Sequence, residues 1–304
     1  MPLSYRGLAR EILLKAGVKE DFSRVRVVKG KVAFEGVLIP RYELLDDKHV
    51  VLKLDNGYNV GVRVDRGDVR VEFVAPPVKP KPLPKPRLER REGLPDVTII
   101  GTGGTIASRV DYATGAVYPQ FTAEDLVAAF PWIADIANIE CLPLMNIFSE
   151  DMKPAGWRRM AMAAAKELNK GVRGVVIAHG TDTMHYSSAA LSFMLKNLTG
   201  PVVFVGAQRS SDRPSTDSAL NLTCALKFAA EADVGEVGVC MHGTPSDTFC
   251  LIHRGVNVRK MHTSRRDTFR SINTKPIARV TPEKIDMLRR DYRRRSSGPV
   301  EVDD

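Results

Sequence analysis

A short polar stretch interrupts the apolar pattern in the middle of the chain. The apolar residues 175–178 are followed at once by His-Gly-Thr-Asp-Thr at 179–183, and an apolar-periodic segment starts directly after them. A threonine hydroxyl is a weak nucleophile, so it needs a nearby base or a strongly polarised carbonyl partner, and a lysine held beside a carboxylate can provide that base by relay. The alternative is that Thr181 or Asp182 simply caps the following helix. A second stretch of this kind would favour catalysis.

Such a second stretch, Gly-Thr-Gly-Gly-Thr at 101–105, also follows an apolar run. A dinucleotide-binding fingerprint would need glycine where Ile106 stands, and no Gly-Lys-[Ser/Thr] of a phosphate-binding loop follows. The residues 108–121 are polar and rich in turn formers, which is typical of a mobile flap over a site. The glycines would let the backbone pass close to a ligand and would place Thr105 at the edge of that ligand.

From residue 96 onward the chain alternates between short apolar runs and helical patterns. Buried strands separated by helices are typical of βαβ units, so we predict an α/β fold with a parallel sheet and helices on both faces. Ligands of such sheets bind outside the carboxyl ends of the strands. Small and hydroxylic residues follow four of the apolar runs, at 101–105, 179–183, 207–210 and 242–244. Because these residues all follow the apolar runs, we predict that they meet at the carboxyl ends of the strands and form one polar pocket there.

The chain before residue 96 has a different pattern. A short helix over 1–16 should end at Gly17, which can adopt the left-handed cap conformation, and alternating apolar and polar runs follow it. We therefore predict a small antiparallel β-barrel over 1–75, which serves for docking rather than catalysis. Seven prolines interrupt residues 76–95, which predicts an extended, semi-rigid linker rich in Pro and Lys. Residues 96–304 then form the α/β domain.

Composition excludes several classes of protein. With 304 residues, 43% hydrophobic and 27% charged, the chain has the composition of a soluble globular protein, and no apolar run approaches the roughly 20 residues of a membrane helix. No secretory signal is visible, so the cytoplasm is expected. The four cysteines form no Cys-x-x-Cys pair, which argues against a zinc ribbon or a redox motif. The net charge of +9 leaves nucleic acid open as a partner, although much of the excess lies in the linker and near the C-terminus.

Four blocks, at 101–108, 179–184, 201–222 and 258–269, resemble in order the motifs of the bacterial-type L-asparaginase/glutaminase family. The resemblance implies hydrolysis of a side-chain amide through a threonine hydroxyl, and it leaves direct and covalent displacement both open. It places the catalytic residues at Thr105, Tyr118, Thr181, Asp182 and Lys260. It places substrate-binding residues at Gly104, Ser149 and Glu150, the last where many members carry glutamine, and it implies no metal.

The N-terminal segment, the linker and the α/β domain together resemble the glutamine-hydrolysing subunits of archaeal tRNA-dependent amidotransferases. That resemblance implies hydrolysis of glutamine to glutamate and ammonia, without a cofactor bound by this chain. The partner in such an enzyme is the tRNA-amidating subunit, which would use the ammonia, with ATP and Mg, to amidate the glutamate of Glu-tRNA(Gln). We also expect a homodimer of this chain within a heterotetramer, and no membrane contact.

Three further expectations concern the whole chain. The family ends with a second, smaller α/β domain, and we expect that domain to be missing from this chain. A free-standing cytoplasmic L-asparaginase with an added barrel is the alternative enzyme. A non-catalytic RNA-binding adaptor is the alternative without chemistry, although a relic would have no reason to keep all five catalytic positions.

Overall fold

The computed structural model describes residues 3–40, 46–56, 58–77, 90–103, 108–110, 117–119, 122–209 and 215–303. The chain divides into two compact units, Met1–Pro82 with Val110–Tyr118, and Leu83–Arg109 with Pro119–Asp304. Most of the predicted linker lies outside the described residues. No helix in the described part of the chain is long and apolar enough to cross a membrane.

The α-helices are α1 (Gly7–Lys15), α2 (Ala123–Ala129), α3 (Pro154–Asn169), α4 (Met184–Met194) and α5 (Ser218–Glu231). The strands before the α/β unit are β1 (Arg24–Lys29), β2 (Val32–Leu38), β3 (His49–Leu54), β4 (Asn59–Arg63) and β5 (Val69–Ala75). The next strands are β6 (Asp96–Gly101), β7 (Ser108–Val110), β8 (Val117–Pro119), β9 (Asn138–Pro143), β10 (Gly174–Ala178), β11 (Leu195–Lys196), β12 (Val202–Val205) and β13 (Val237–His242). The last are β14 (Cys250–Arg254), β15 (Val258–Lys260), β16 (Phe269–Ser271), β17 (Ala278–Val280), β18 (Ile285–Met287) and β19 (Glu301–Val302).

The first unit contains the predicted antiparallel sheet. Its five strands pair in the order β4-β3-β2-β1-β5, and no β4–β5 ladder occurs among the described residues. The predicted N-terminal helix is confirmed as α1, and Gly17 follows it with a φ of +82°. The fully buried residues Leu13, Val25, Leu38 and Leu52 belong to one core that joins the helix to the sheet.

Tyr5 fastens the chain before α1 to this sheet. Its ring is 1% exposed, and its hydroxyl donates to Ile39 O at 2.7 Å and accepts from Val51 N at 3.1 Å. Tyr5→Phe should therefore lower the free energy of unfolding of this unit by about 1–3 kcal/mol, because the Val51 N–H loses its acceptor. Amide hydrogen exchange of β1–β5 in the intact chain measures this change. Tyr58→Phe is the matched control, since Tyr58 is 73% exposed, and equal protection in both variants would contradict the prediction.

The second unit is built on an eight-stranded sheet in the order β18-β17-β14-β13-β12-β10-β6-β9. The five strands β9, β6, β10, β12 and β13 are parallel neighbours, which confirms the predicted α/β fold. The strands β14, β17 and β18 pair antiparallel, so the sheet is mixed rather than purely parallel. The sequence did not indicate these strands because β17 and β18 have only three residues each and no helix separates them from β14.

Helices cover both faces of this sheet, as predicted. Along β10, which is buried throughout, Val176 and Ala178 belong to the core that contains residues of α2 and α5, while Val175 and Ile177 belong to the core that contains residues of α3 and α4. Successive side chains of a strand point to opposite faces, so an unbroken apolar run is what a strand between two helical layers requires.

Candidate active site

The polar stretch after β10 lies at the carboxyl end of the sheet, next to β12. His179 N donates to Val205 O at 2.9 Å, which continues the pairing of β10 with β12 by one residue. The helix α4 begins at Met184, and Thr183 is its N-cap residue. The Thr183 side chain makes no capping hydrogen bond to the first turn of the helix. Thr183 Oγ1 instead donates to Ser149 O at 2.6 Å. The capping interpretation of Thr181 and Asp182 thus has no hydrogen bond to support it.

Thr181, Asp182 and Lys260 meet in one hydrogen-bonded group. Lys260 Nζ donates to Thr181 Oγ1 at 2.8 Å and to Asp182 Oδ1 at 2.7 Å. The lysine side chain is 7% exposed, whereas that of Asp182 is 62% exposed, so the ion pair runs from the interior to the surface. Lys260 is the last residue of β15, whose pairing with β16 sets Lys260 opposite Phe269. An amine in contact with a hydroxyl and a carboxylate can hold or move a proton at Thr181 Oγ1.

The carboxyl end of β12 completes the surroundings of Thr181. Thr181 Oγ1 donates to Gln208 Oε1 at 3.4 Å. Asp217, which is fully buried, accepts from the backbone N–H groups of Gln208 and Arg209 at 3.0–3.1 Å and thereby fixes this turn. A Cβ on Gly206 would come within 2.8 Å of Thr181 Cγ2, so only glycine lets the two strand ends approach this closely.

Ser149 lies against the same loop. It is buried at the start of a short 3-10 helix, Ser149–Asp151, and a Cβ on Gly180 would meet Ser149 Cβ at 2.8 Å. Glu150, the next residue, is exposed. Ser149 is therefore brought to the loop that carries Thr181, while Glu150 turns toward solvent.

The glycine-rich loop is described only at its start. Gly103 has a φ of +108°, and a Cβ there would come within 2.3 Å of Ile147 O, so the backbone passes too close for any side chain. Gly104 and Thr105 lie outside the described residues. Tyr118 belongs to the strand β8, but its side chain is not among those described. The structure thus brings together Thr181, Asp182, Lys260 and Ser149.

Behind the Thr181 loop lies a series of hydrogen-bonded side chains that the sequence analysis missed. His179 Nδ1 contacts Gly180 O at 2.7 Å, and because a carbonyl only accepts, Nδ1 carries the proton. His179 Nε2 then accepts from Ser187 Oγ at 2.9 Å, and Ser187 Oγ accepts from Trp157 Nε1 at 2.9 Å. These hydrogen bonds fix the carbonyl group of Gly180, which precedes Thr181. The sequence contained a signal, since Ser187 lies between apolar residues of an otherwise buried helical face, but its partner on α3 is distant in sequence.

Burial lowers the pKa of His179 to about 4, and its hydrogen bond to Gly180 opposes this effect. The unfolded chain has a histidine pKa near 6.5, so it binds more protons below that pH than the folded chain does. The stability that His179 contributes is fully present above pH 6.5 and is lost as the pH falls toward 4, by about 2 kcal/mol at pH 5. Proton–nitrogen NMR of the ring should show neutral His179 with the proton on Nδ1 at pH 5. A titration midpoint near pH 6.5 for the His179 ring in the folded protein would contradict this prediction.

A cavity of about 760 Å³ lies away from Thr181 and Lys260, at the amino ends of the strands β6 and β9. Its lining includes Asp96 and Asn138, the first residues of β6 and β9, together with the apolar residues Val127 and Ala134. Among the described residues, no group of three or more His, Cys, Asp or Glu side chains is arranged to hold a metal ion. The contacting groups that the structure describes at the strand ends are the Thr181 hydroxyl, the Lys260 amine and the Asp182 carboxylate.

At the carboxyl ends of the strands of this α/β sheet, a lysine thus binds both a buried threonine hydroxyl and an aspartate. The Asparaginase, N-terminal family model matches residues 96–293, and the GatD N-terminal domain model matches residues 19–74. The chain belongs to the asparaginase family, among the members that carry the GatD N-terminal domain. The resemblance in the sequence is thereby confirmed.

Relatives with curated names agree with this assignment. The chain is 57% identical over 298 residues to the GatD subunit of glutamyl-tRNA(Gln) amidotransferase from Pyrococcus furiosus, a match that covers 97% of this chain and 68% of that protein. It is 52% identical over 304 residues to the GatD subunit from Methanothermobacter thermautotrophicus, a match that covers 99% of this chain and 68% of that protein. The chain thus spans about two thirds of the length of these relatives.

Solved structures show the same fold at lower identity. The thermostable L-asparaginase from Thermococcus kodakarensis matches with a TM-score of 0.59 and 31% identity, over 68% of this chain and 60% of that one. The probable cytoplasmic L-asparaginase from Campylobacter jejuni matches with a TM-score of 0.54 and 29% identity, over 65% of this chain and 56% of that one.

Proposed function

We propose that this chain is the glutamine-hydrolysing subunit of a tRNA-dependent amidotransferase and that its site releases ammonia from the side-chain amide of glutamine. The observation that carries the proposal is the contact of Lys260 Nζ with both Thr181 Oγ1 and Asp182 Oδ1. Two independent regions of the chain support it, since the N-terminal unit and the α/β unit each match a domain of the same relatives.

The resemblance to the asparaginase family assigns the residues their roles in amide hydrolysis. Thr105 attacks the amide carbon, assisted by Tyr118, and the leaving amine takes up a proton to become ammonia. Thr181, Asp182 and Lys260 move that proton or activate the water that completes hydrolysis. Gly104, Ser149 and Glu150 bind the substrate. The position of Ser149 against the Thr181 loop supports this role for Ser149.

The ammonia serves the tRNA-amidating subunit. In this proposal that partner phosphorylates the glutamate of Glu-tRNA(Gln) with ATP and Mg and amidates it to Gln-tRNA(Gln), while this chain binds no cofactor of its own. A homodimer of this chain would form the centre of a heterotetramer in the cytoplasm. Residues 1–75 dock the partner, residues 76–95 link the two parts, and residues 96–304 form the catalytic domain. The absence of any catalytic group of the proposed reaction from residues 1–75 supports the docking role.

An assay of ammonia release tests this function against that of a free asparaginase, the alternative enzyme, whose solved structures share the fold of the α/β unit. The chain is assayed with glutamine and with asparagine, each with and without the tRNA-amidating subunit and Glu-tRNA(Gln). An amidotransferase subunit should prefer glutamine and should be accelerated by partner and charged tRNA. A variant that lacks residues 1–75 should lose this acceleration. Unstimulated turnover with asparagine in all conditions would identify a free amidohydrolase instead.

A further inference from the structure

One polar atom beside Thr181 is buried and has no hydrogen-bond partner, namely Gln208 Nε2. It belongs to the same side-chain amide whose Oε1 accepts from Thr181 Oγ1 at 3.4 Å. A buried donor without an acceptor costs about 1–3 kcal/mol, and native proteins contain few of them. A donor left open next to a reactive hydroxyl indicates that something other than this chain supplies its acceptor.

Rotation of the amide does not remove this deficit. Thr181 Oγ1 already accepts from Lys260 Nζ, and it has one proton to donate. If the amide were turned, Gln208 Nε2 would face Thr181 Oγ1 and Oε1 would take the open position. In either orientation, one polar atom of Gln208 binds Thr181 and the other awaits a partner.

Hydrogen bonds fix the backbone of Gln208 beside Thr181. Its N–H and that of Arg209 are both bound by the buried carboxylate of Asp217. Asn221 Nδ2 in turn donates to Asp217 Oδ2 at 3.1 Å, which fixes the orientation of the carboxylate. An open polar group that a rigid framework holds at an active site is a feature expected of a binding residue.

We propose that Gln208 contacts the substrate directly, by pairing its side-chain amide with the substrate carboxamide that lies against Thr181. This inference rests on the proposed amidohydrolase function and adds a residue to it. A primary carboxamide offers one acceptor and two donors, so it can satisfy the open atom of Gln208 in either orientation. The contact forms at the end of the substrate where the bond is broken, so it should affect turnover more than binding.

Two variants test this role. Gln208→Met keeps the size of the side chain and removes both polar atoms, while Gln208→Glu keeps an acceptor for Thr181 and removes the donor. Each should lower kcat for ammonia release from glutamine about tenfold to a hundredfold, with a smaller change in KM. The activity of Gln208→Glu relative to wild type should rise as the pH is lowered, because a protonated carboxyl regains one donor.

Stability separates this role from a structural one. Gln208→Met should unfold in urea at a midpoint close to that of wild type, because removal of the unpaired buried donor offsets the loss of the contact between Thr181 Oγ1 and Gln208 Oε1. Thr199→Val is the matched control, since Thr199 Oγ1 is also buried without a partner but lies outside the site, and it should leave kcat unchanged. A kcat within threefold of wild type in both Gln208 variants, or a midpoint that falls together with activity, would refute the inference alone. A wild-type chain that hydrolyses neither glutamine nor asparagine would overturn the proposed function and this inference with it.

Discussion

Thr181→Val is expected to abolish amide hydrolysis, with kcat about a thousandfold or more below wild type, while the fold stays intact. Valine preserves the β-branched shape of threonine but has no hydroxyl to accept from Lys260 Nζ or to donate to Gln208 Oε1. Thr181 is 7% exposed, so the loss of these contacts should lower the free energy of unfolding by about 1 kcal/mol. Ammonia release and urea unfolding of the same preparation measure both effects.

The control for this prediction is a threonine that lies in no site. Thr199→Val removes a hydroxyl that is buried and unpaired, and it should change neither ammonia release nor the urea midpoint by more than a small amount. If Thr181→Val unfolded readily but kept near-normal turnover per folded molecule, the hydroxyl would have a structural role and the catalytic assignment would be wrong.

The sequence alone predicts the part of this site that lies between one strand and the helix that follows it in the chain. An apolar run, a polar break and a helical pattern are enough to place residues 179–183 between β10 and α4, since periodicity reports strands and helices directly. The contact of Lys260 with Thr181 joins residues 79 positions apart. No local pattern indicates a pairing over that distance, so only the family resemblance placed Lys260 in the site.

The rest of the site depends on packing that local sequence does not encode. Gln208 was predicted to lie at a strand end, but its open amide results from the backbone contacts of Asp217 and from the close approach that Gly206 permits. The antiparallel strands β17 and β18 have three residues each, so their patterns are too brief to distinguish from turns. Tertiary pairing that starts at β13 and continues from strand to strand defines them.

Lys260→Met should lower kcat for glutamine hydrolysis by about a hundredfold or more, because the lysine is the group that connects Thr181 Oγ1 to Asp182 Oδ1. Methionine has a similar unbranched stem, so it can occupy the space of a side chain that is 7% exposed. Asp182 would lose its partner but is 62% exposed, so water can solvate the carboxylate. We therefore expect a large change in activity with a small change in the urea midpoint.

The neighbouring residue of the same strand provides the matched control for Lys260→Met. Arg259 precedes Lys260 in β15 and is exposed, so Arg259→Met removes a positive charge from the same strand without touching Thr181 or Asp182. It should retain wild-type turnover at low and at high salt, whereas Lys260→Met should be impaired at both, because a proton transfer between contacting groups is not screened by ions as a distant charge is. A loss of less than tenfold in Lys260→Met, or an equal loss in both variants, would mean that Lys260 acts only as part of a basic surface.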